Sequence, residues 1–266
     1  IPFDTILMKI NRISPKDHVF TQKLINIDSS PSQLCYLGTL PEHEAPVVAI
    51  VGTRKPTAYG VEMTQRLAYD LAKRGVIVVS GLALGVDALA HRAALDAGGI
   101  TIAVVVNELP DISPRTNLQL AKSMIEHNGA IISEWSRGDG GFINKASFVI
   151  RNRLVSGLAD AVIITEATAK SGTLNTAAHA LNQGRDVFAV PGNVTSPLSE
   201  GCNMLLKQGA APITEAKDVL EVIAPHMMHS KSRSKQASLP FGDTPAENTI
   251  LQLIASGVRD GEQLQK

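Results

Sequence analysis

VVAIVGTRKPTAYG, residues 47–60, is a β-branched run that breaks at a glycine and passes through Thr, Arg and Pro into a helical stretch. The same pattern recurs in VIVVSGLALGVDALAH, residues 76–91, and in AVIITEATAKSGTLNTAAHAL, residues 161–181. Between and after them lie further short aliphatic runs, ITIAVVV, AIIS and DVFAV, each followed by a helical stretch. Strand and helix in strict alternation specify an α/β fold with a doubly wound, mostly parallel sheet. The strands are almost wholly aliphatic, as a sheet covered on both faces requires. In such a sheet the turns after the strands share the carboxyl edge, where helix N-termini converge. Free N–H groups and the positive end of the helix dipole make that edge an anion site.

Composition is consistent with that architecture. The chain has 266 residues, 44% hydrophobic but only 4% aromatic, so the core is expected to be aliphatic. Lys and Arg number 25 and Asp and Glu 25, leaving no basic field over the whole chain. A polyanion site must therefore come from local clustering. Cys35 and Cys202 fit no metal spacing and are those of a reducing cytosol, and no apolar run is long enough for a membrane span. The start, IPFDTILMKI, lacks an initiator Met and a basic n-region and reads as the beginning of a fragment, not as a signal peptide.

The domain reading is a proline-punctuated extension over residues 1–45, packed as an edge piece, and an α/β domain over 46–225. A basic linker with Lys231, Arg233 and Lys235 covers 226–244. An amphipathic helix carrying Ile250, Leu251, Leu253 and Ile254 starts a small, incomplete helical domain over 245–266.

In the first turn Gly52 permits the sharp bend, Thr53 offers a hydroxyl and an amide, and Arg54 a guanidinium fork suited to phosphate. Pro56 and Thr57 suit the first position and cap of the next helix. The spacing is neither the dinucleotide G-x-G-x-x-G nor a Walker A loop. In the second turn Asp87 and His91 share a helix face, but no third metal ligand accompanies them. They read as a dipole-complementing acid and a structural hydrogen-bond donor. In the third turn Glu166 follows the strand, and Ser171, Gly172 and Thr173 open a helix with side chains small enough for a ligand to approach the backbone.

KASFVIRNRLVSGLAD, residues 145–160, sets Lys145, Arg151 and Arg153 around Phe148. Cations with an interleaved aromatic suit single-stranded nucleic acid. The same residues equally describe a helix whose Phe is core and whose arginines pair with Glu134 or Asp160. No serine stands in a nucleophile elbow. Glu134 and Glu166, both near strand ends, keep open an acid/base pair in a hydrolase.

Taken together, VAIVGTRKPTAYG, SGLALGVDALAHRAAL, AIISEW, FVIRNRLVSGLADAVIITEA, SGTLNTAAHAL and GRDVFAVPGNVTSPLSEGCNMLLKQGA resemble, in order, the DNA-processing protein A (DprA/Smf) family of bacteria. The resemblance spans residues 34–213 and implies an extended Rossmann-like domain that binds single-stranded DNA and no nucleotide cofactor; the residues themselves offer no credible metal or catalytic set. It also implies a cytoplasmic homodimer that protects DNA entering by natural transformation and loads a RecA-type recombinase. By position, Gly52, Thr53 and Arg54 match the phosphate-gripping turn. Lys145 and Phe148 match the DNA-contacting pair, Arg151, Asn152 and Arg153 the R-N-R block, and Ser171, Gly172 and Thr173 the S-G-[ST] turn. The C-terminal helix resembles the beginning of a winged-helix module. One departure is VVVNELPDISP, residues 104–114, where the family has a glycine-rich G-x-D-x-x-Y-P segment. The runner-up is a nucleoside-monophosphate phosphoribohydrolase on a related fold, using Glu166 with Ser171, Gly172 and Thr173, although Glu166 precedes that turn instead of following it.

Overall fold

A computed structural model describes residues 9–140 and 144–228. Parallel strands form the sheet's centre: β3 (Val47–Val51), β4 (Ile77–Ser80), β5 (Thr101–Val104), β6 (Ala130–Ser133), β7 (Ala161–Ile164), β8 (Asp186–Ala189) and β9 (Ala211–Pro212). β1 (Asn11–Ile13) and β2 (Leu34–Gly38) extend it antiparallel beyond β6, giving the order β1-β2-β6-β5-β4-β3-β7-β8-β9. The sheet is thus mostly parallel and doubly wound, as the alternation requires. Every residue of β3 to β7 is buried, which only continuous Val, Ile and Ala runs tolerate.

The chain runs outward from β3 through α1 (Ala58–Lys73), α2 (Val86–Asp96) and α3 (Leu118–Glu126), then returns along α4 (Lys145–Leu158) to place β7 on the other side of β3. From there α5 (Thr173–Asn182), α6 (Glu200–Lys207) and α7 (Ala216–Ile223) lead outward. The gap between β3 and β7 is therefore the topological switch point, where ligands of such sheets bind. α4, α5 and α6 cover one face, burying Leu154, Val155, Leu158, Ala177 and Leu205 against Val47, Ala49 and Val162. The other face carries α1, α2 and α3 in mutual contact.

The N-terminal residues bury Phe20, Leu24 and Ile27 in the α4–α5 side of the core. Asp160 ties them to the sheet, accepting from Lys23 Nζ at 2.6 Å and from the Val47 amide at 2.9 Å. Residues 225–228 form a last helical turn, α8 (Pro225–Met228), in a separate unit. Most of the basic stretch and the whole of the C-terminal amphipathic helix lie outside the described residues.

His91 is wholly buried on α2, with Nδ1 2.6 Å from Thr101 Oγ1, whose own proton goes to the Val78 carbonyl at 2.8 Å. His91 is therefore the donor, as the sequence suggests, and its Nε2 meets no partner among the described residues. Burial, reinforced by Arg151, lowers its pKa to about 3. The unfolded chain takes up this proton near the ordinary value, the folded one only far lower. Stability from His91 is thus complete above about pH 6.5 and falls as pH drops. Asp87, raised by burial, works in the opposite sense in acid and is common to wild type and variant. Between pH 6.5 and 4.5 wild type is expected to lose about 2–3 kcal/mol more unfolding free energy than His91→Gln, read from urea melts across pH.

Candidate nucleic-acid interface

Thr53 joins the three turns. Its amide donates to the Glu166 carbonyl at 2.8 Å, and its carbonyl accepts from the Val86 amide at 3.1 Å. Thr173 Oγ1 adds a bond to the Gly52 carbonyl at 3.1 Å. Gly85 sits at φ +75, and a Cβ there would stand 2.5 Å from the Thr53 oxygen and the Arg54 carbonyl carbon. Glycine is needed on both counts.

Thr57 caps α1, its hydroxyl accepting from the Gly60 amide. The Glu166 carboxylate, 2% exposed as a residue, grips the same helix end, accepting from the Thr57 amide at 2.8 Å and its hydroxyl at 2.5 Å. A Cβ on Gly60 would collide with that carboxylate at 2.2 Å. This protein anion therefore occupies the N-terminus of α1.

Above the β3/β7 switch lies a cavity of about 510 Å³, lined by Gly52, Thr53 and Arg54, by Phe148, Arg151 and Asn152, and by Ser171, Gly172 and Thr173. Asn144 and Ser147 cap α4 reciprocally, which sets Phe148 in its first turn. Phe148, Arg151 and Asn152, at spacings of three and four, share the helix face toward the cavity. The exposed Arg54 guanidinium lies over the Phe148 ring, 5.5 Å from its centroid, with no other partner among the described residues.

Arg151 is different. It is 7% exposed and donates Nη1 to the carbonyls of Gly81, at 2.9 Å, and Val104 at the carboxyl ends of β4 and β5. Burial lowers its pKa and nearby Asp87 opposes that shift. Asp87, which also lines the cavity, accepts from the amides of Gly81 and Ala83 at 3.1 and 3.3 Å. It does more than complement the dipole: it holds the second turn shut. Among the described residues two arginines against one aspartate leave the cavity lining net positive.

Arg153 lies away from the cavity. Two residues from Arg151, it falls on another helix face, and its guanidinium clasps Glu134 at 2.6 and 2.8 Å. For Arg153 the structural alternative is what the fold contains. Lys145 opens α4, and its side chain lies outside the described residues. The N-terminus of α5 offers fewer free amides than such turns promise. Thr173 and Leu174 donate to Ser171, and Asn175 to Gly172. The polar capacity of the cavity therefore rests mainly on Arg54 and Arg151. Residues 104–114 pack on the loop after β6 through Leu109, which bonds Trp135 and Arg137, and none of them lines the cavity, although the Val104 carbonyl accepts from Arg151.

Glu134 and Glu166 form no carboxylate pair. Their strands, β6 and β7, stand four intervals apart, about 19 Å at ordinary strand spacing. Acid/base carboxylates of hydrolases lie within about 10 Å. Glu166 also faces a cavity separate from the one holding Ser171, Gly172 and Thr173. Among the described residues no helix is long and apolar enough to cross a membrane, and no three His, Cys, Asp or Glu cluster for a metal.

A family model described as DNA recombination-mediator protein A matches residues 11–224. Protein Smf of Escherichia coli strain K12 is 40% identical over 212 residues, 79% of this chain. The chain spans only 56% of that relative's length. The crystal structure of DNA processing protein A from Streptococcus pneumoniae superposes with TM-score 0.72 at 35% identity, covering 81% of this chain and 75% of that one. DNA processing protein A from Helicobacter pylori, whose structure was described for its single-stranded DNA binding mode, gives TM-score 0.70 at 31% identity over 83% of this chain and 98% of that one.

The two arginines are expected to separate by stability. Arg153→Ala strands Glu134 and costs about 3–5 kcal/mol, whereas Arg54→Ala shifts unfolding free energy by less than about 1 kcal/mol, both measured by denaturant melts.

Proposed function

The chain belongs to the DNA recombination-mediator protein A family, and on that footing we propose that it grips single-stranded DNA in the cavity at the β3/β7 switch. The observation that carries this reading is Arg54 lying over Phe148 at the mouth of a net-positive cavity. A guanidinium fork answers a phosphate, and an aromatic ring beside it answers an unstacked base. Duplex DNA keeps its bases stacked and cannot offer one to Phe148, so the site favours single strands.

In this reading Arg54 holds phosphate from the turn that Gly52 and Thr53 shape, Phe148 takes a base, Lys145 and Asn152 add contacts along α4, and Ser171, Gly172 and Thr173 form the opposite wall. Arg151 acts from beneath as a buried positive charge, and Arg153 supports α4 through Glu134. The protein works by binding, not by turnover: the Glu166 carboxylate is engaged with Thr57, and its strand lies far from that of Glu134. Contacts made mainly to phosphate carry little sequence information. We extend the proposal to a cytoplasmic homodimer that protects incoming DNA during natural transformation and hands it to a RecA-type recombinase. The domain reading goes with it: a linker over 226–244 and the start of a winged-helix-like domain over 245–266.

Fluorescence anisotropy with labelled single and double strands, titrated across salt, tests this. The expected outcome is preference for the single strand with a log–log salt slope of roughly −2 to −4, from about 3–5 neutralised phosphates. Arg54→Ala is expected to weaken binding by about 1–3 kcal/mol. Unchanged affinity in that variant removes the first turn from the site.

A further inference from the structure

A second cavity, of about 430 Å³, opens on the other side of the α1 N-terminus, at the carboxyl end of β8. Thr57, Tyr59 and Glu166 form one wall, and Pro191, Gly192, Asn193, Ser196 and Ser199 the other. Its chemistry is unlike that of the first. Among the described residues no Lys or Arg lines it, the one carboxylate is already bonded to Thr57, and most of the lining is apolar. A phosphate finds nothing to neutralise it there.

What the cavity does hold is an anchored aromatic ring and unpartnered neutral polar groups. Tyr59 is 43% exposed, yet its hydroxyl donates to the Pro191 carbonyl at 2.8 Å, which fixes the ring across the opening. The opposite wall is rigid: Asn203 bonds both the amide and the carbonyl of Gly192, at 3.3 and 3.1 Å. Ser199 is only 4% exposed, and its hydroxyl, in the cavity lining, has no hydrogen-bond partner among the described residues. That hydroxyl is not among the sealed unpartnered atoms of the described residues, so it reaches the open space of the cavity and is available to a ligand. Asn193 uses its side-chain oxygen on Thr195, at 3.0 and 2.9 Å, and keeps its amide donors. A flat, uncharged heteroaromatic group with donors and acceptors on its edge matches this set: it stacks on Tyr59 and bonds Ser199 and Asn193.

We propose that this cavity is a nucleobase subsite, filled by a base of the same strand whose backbone Arg54 holds. β3 and β8 are separated only by β7, about 10 Å at ordinary strand spacing, so the two cavities open on neighbouring parts of the same sheet edge, within reach of a short strand. The same-strand part rests on the DNA reading above. The recognition of a base rests on this cavity alone.

The test uses anisotropy with a labelled oligo(dA) strand and an abasic strand of equal length, on wild type, Arg54→Ala, Tyr59→Ala, Tyr59→Phe and Ser199→Ala, each checked by thermal melting. Tyr59→Ala is expected to weaken oligo(dA) binding about 5- to 100-fold with no change in salt slope, because it removes stacking and no charge. The abasic strand is expected to be indifferent to that change. Tyr59→Phe keeps the ring and retains most of the affinity, and Ser199→Ala weakens binding severalfold. If Arg54→Ala weakens binding while Tyr59→Ala and Ser199→Ala match wild type, the subsite is overturned and the phosphate cavity stands. If wild type binds no strand, the DNA reading fails and calorimetry with free 2′-deoxyadenosine decides the cavity. Saturable heat abolished in Tyr59→Ala upholds base recognition, and its absence overturns it.

Discussion

Two backbone hydrogen bonds of Thr53 join the three turns that make this edge of the sheet. Its amide binds the Glu166 carbonyl in the turn after β7, and its carbonyl receives the Val86 amide at the start of α2. These bonds hold only because the backbones come very close. The approach requires glycine at 85 and leaves space for none but glycine at 52 and 60, where a Cβ would meet Val86, the Glu166 carbonyl or the Glu166 carboxylate. The turns therefore behave as one rigid block across the switch point. Side chains mounted on that block, Arg54 above all, are presented at a fixed place without any ligand.

Rigidity has a consequence for electrostatics. Many donors that a sequence would assign to a phosphate are used to hold the block together. The Thr53 amide serves Glu166, the Thr173 hydroxyl serves Gly52, and the first amides of α5 close on Ser171. The α1 N-terminus is filled by the Glu166 carboxylate. Among the described residues, what remains on this lining for an anion is cationic side chains: Arg54 at the surface and Arg151 beneath it, with Asp87 setting the balance. Glu166 then divides the edge into a positive cavity toward β4 and a neutral, aromatic one toward β8.

Much of this was legible in the residues alone. The aliphatic runs of β3 to β8 admit hardly any other reading, and a glycine after the first two strands marks the turns. Thr57 announced itself as a cap, and the spacing of Phe148, Arg151 and Asn152 foretells a shared face. Other features left no local signal. β1 and β2 are short, and their pairing with β6 is a contact across the whole fold. The commitment of Arg153 to Glu134 depends on where α4 lands, although the spacing of two from Arg151 already argues against a common site. Asp87 lining the cavity and Tyr59 spanning to Pro191 both depend on how α1 and α2 sit above the sheet, which composition and periodicity do not encode.

The most direct test of where a strand lies is photocrosslinking with a single strand carrying 5-iodouracil, followed by mass-spectrometric mapping. With the strand held at the β3/β7 switch, crosslinks are expected at Phe148, where the ring faces the cavity beside Arg54. Crosslinks confined to other surfaces, with Phe148 unmodified at saturating strand, contradict it.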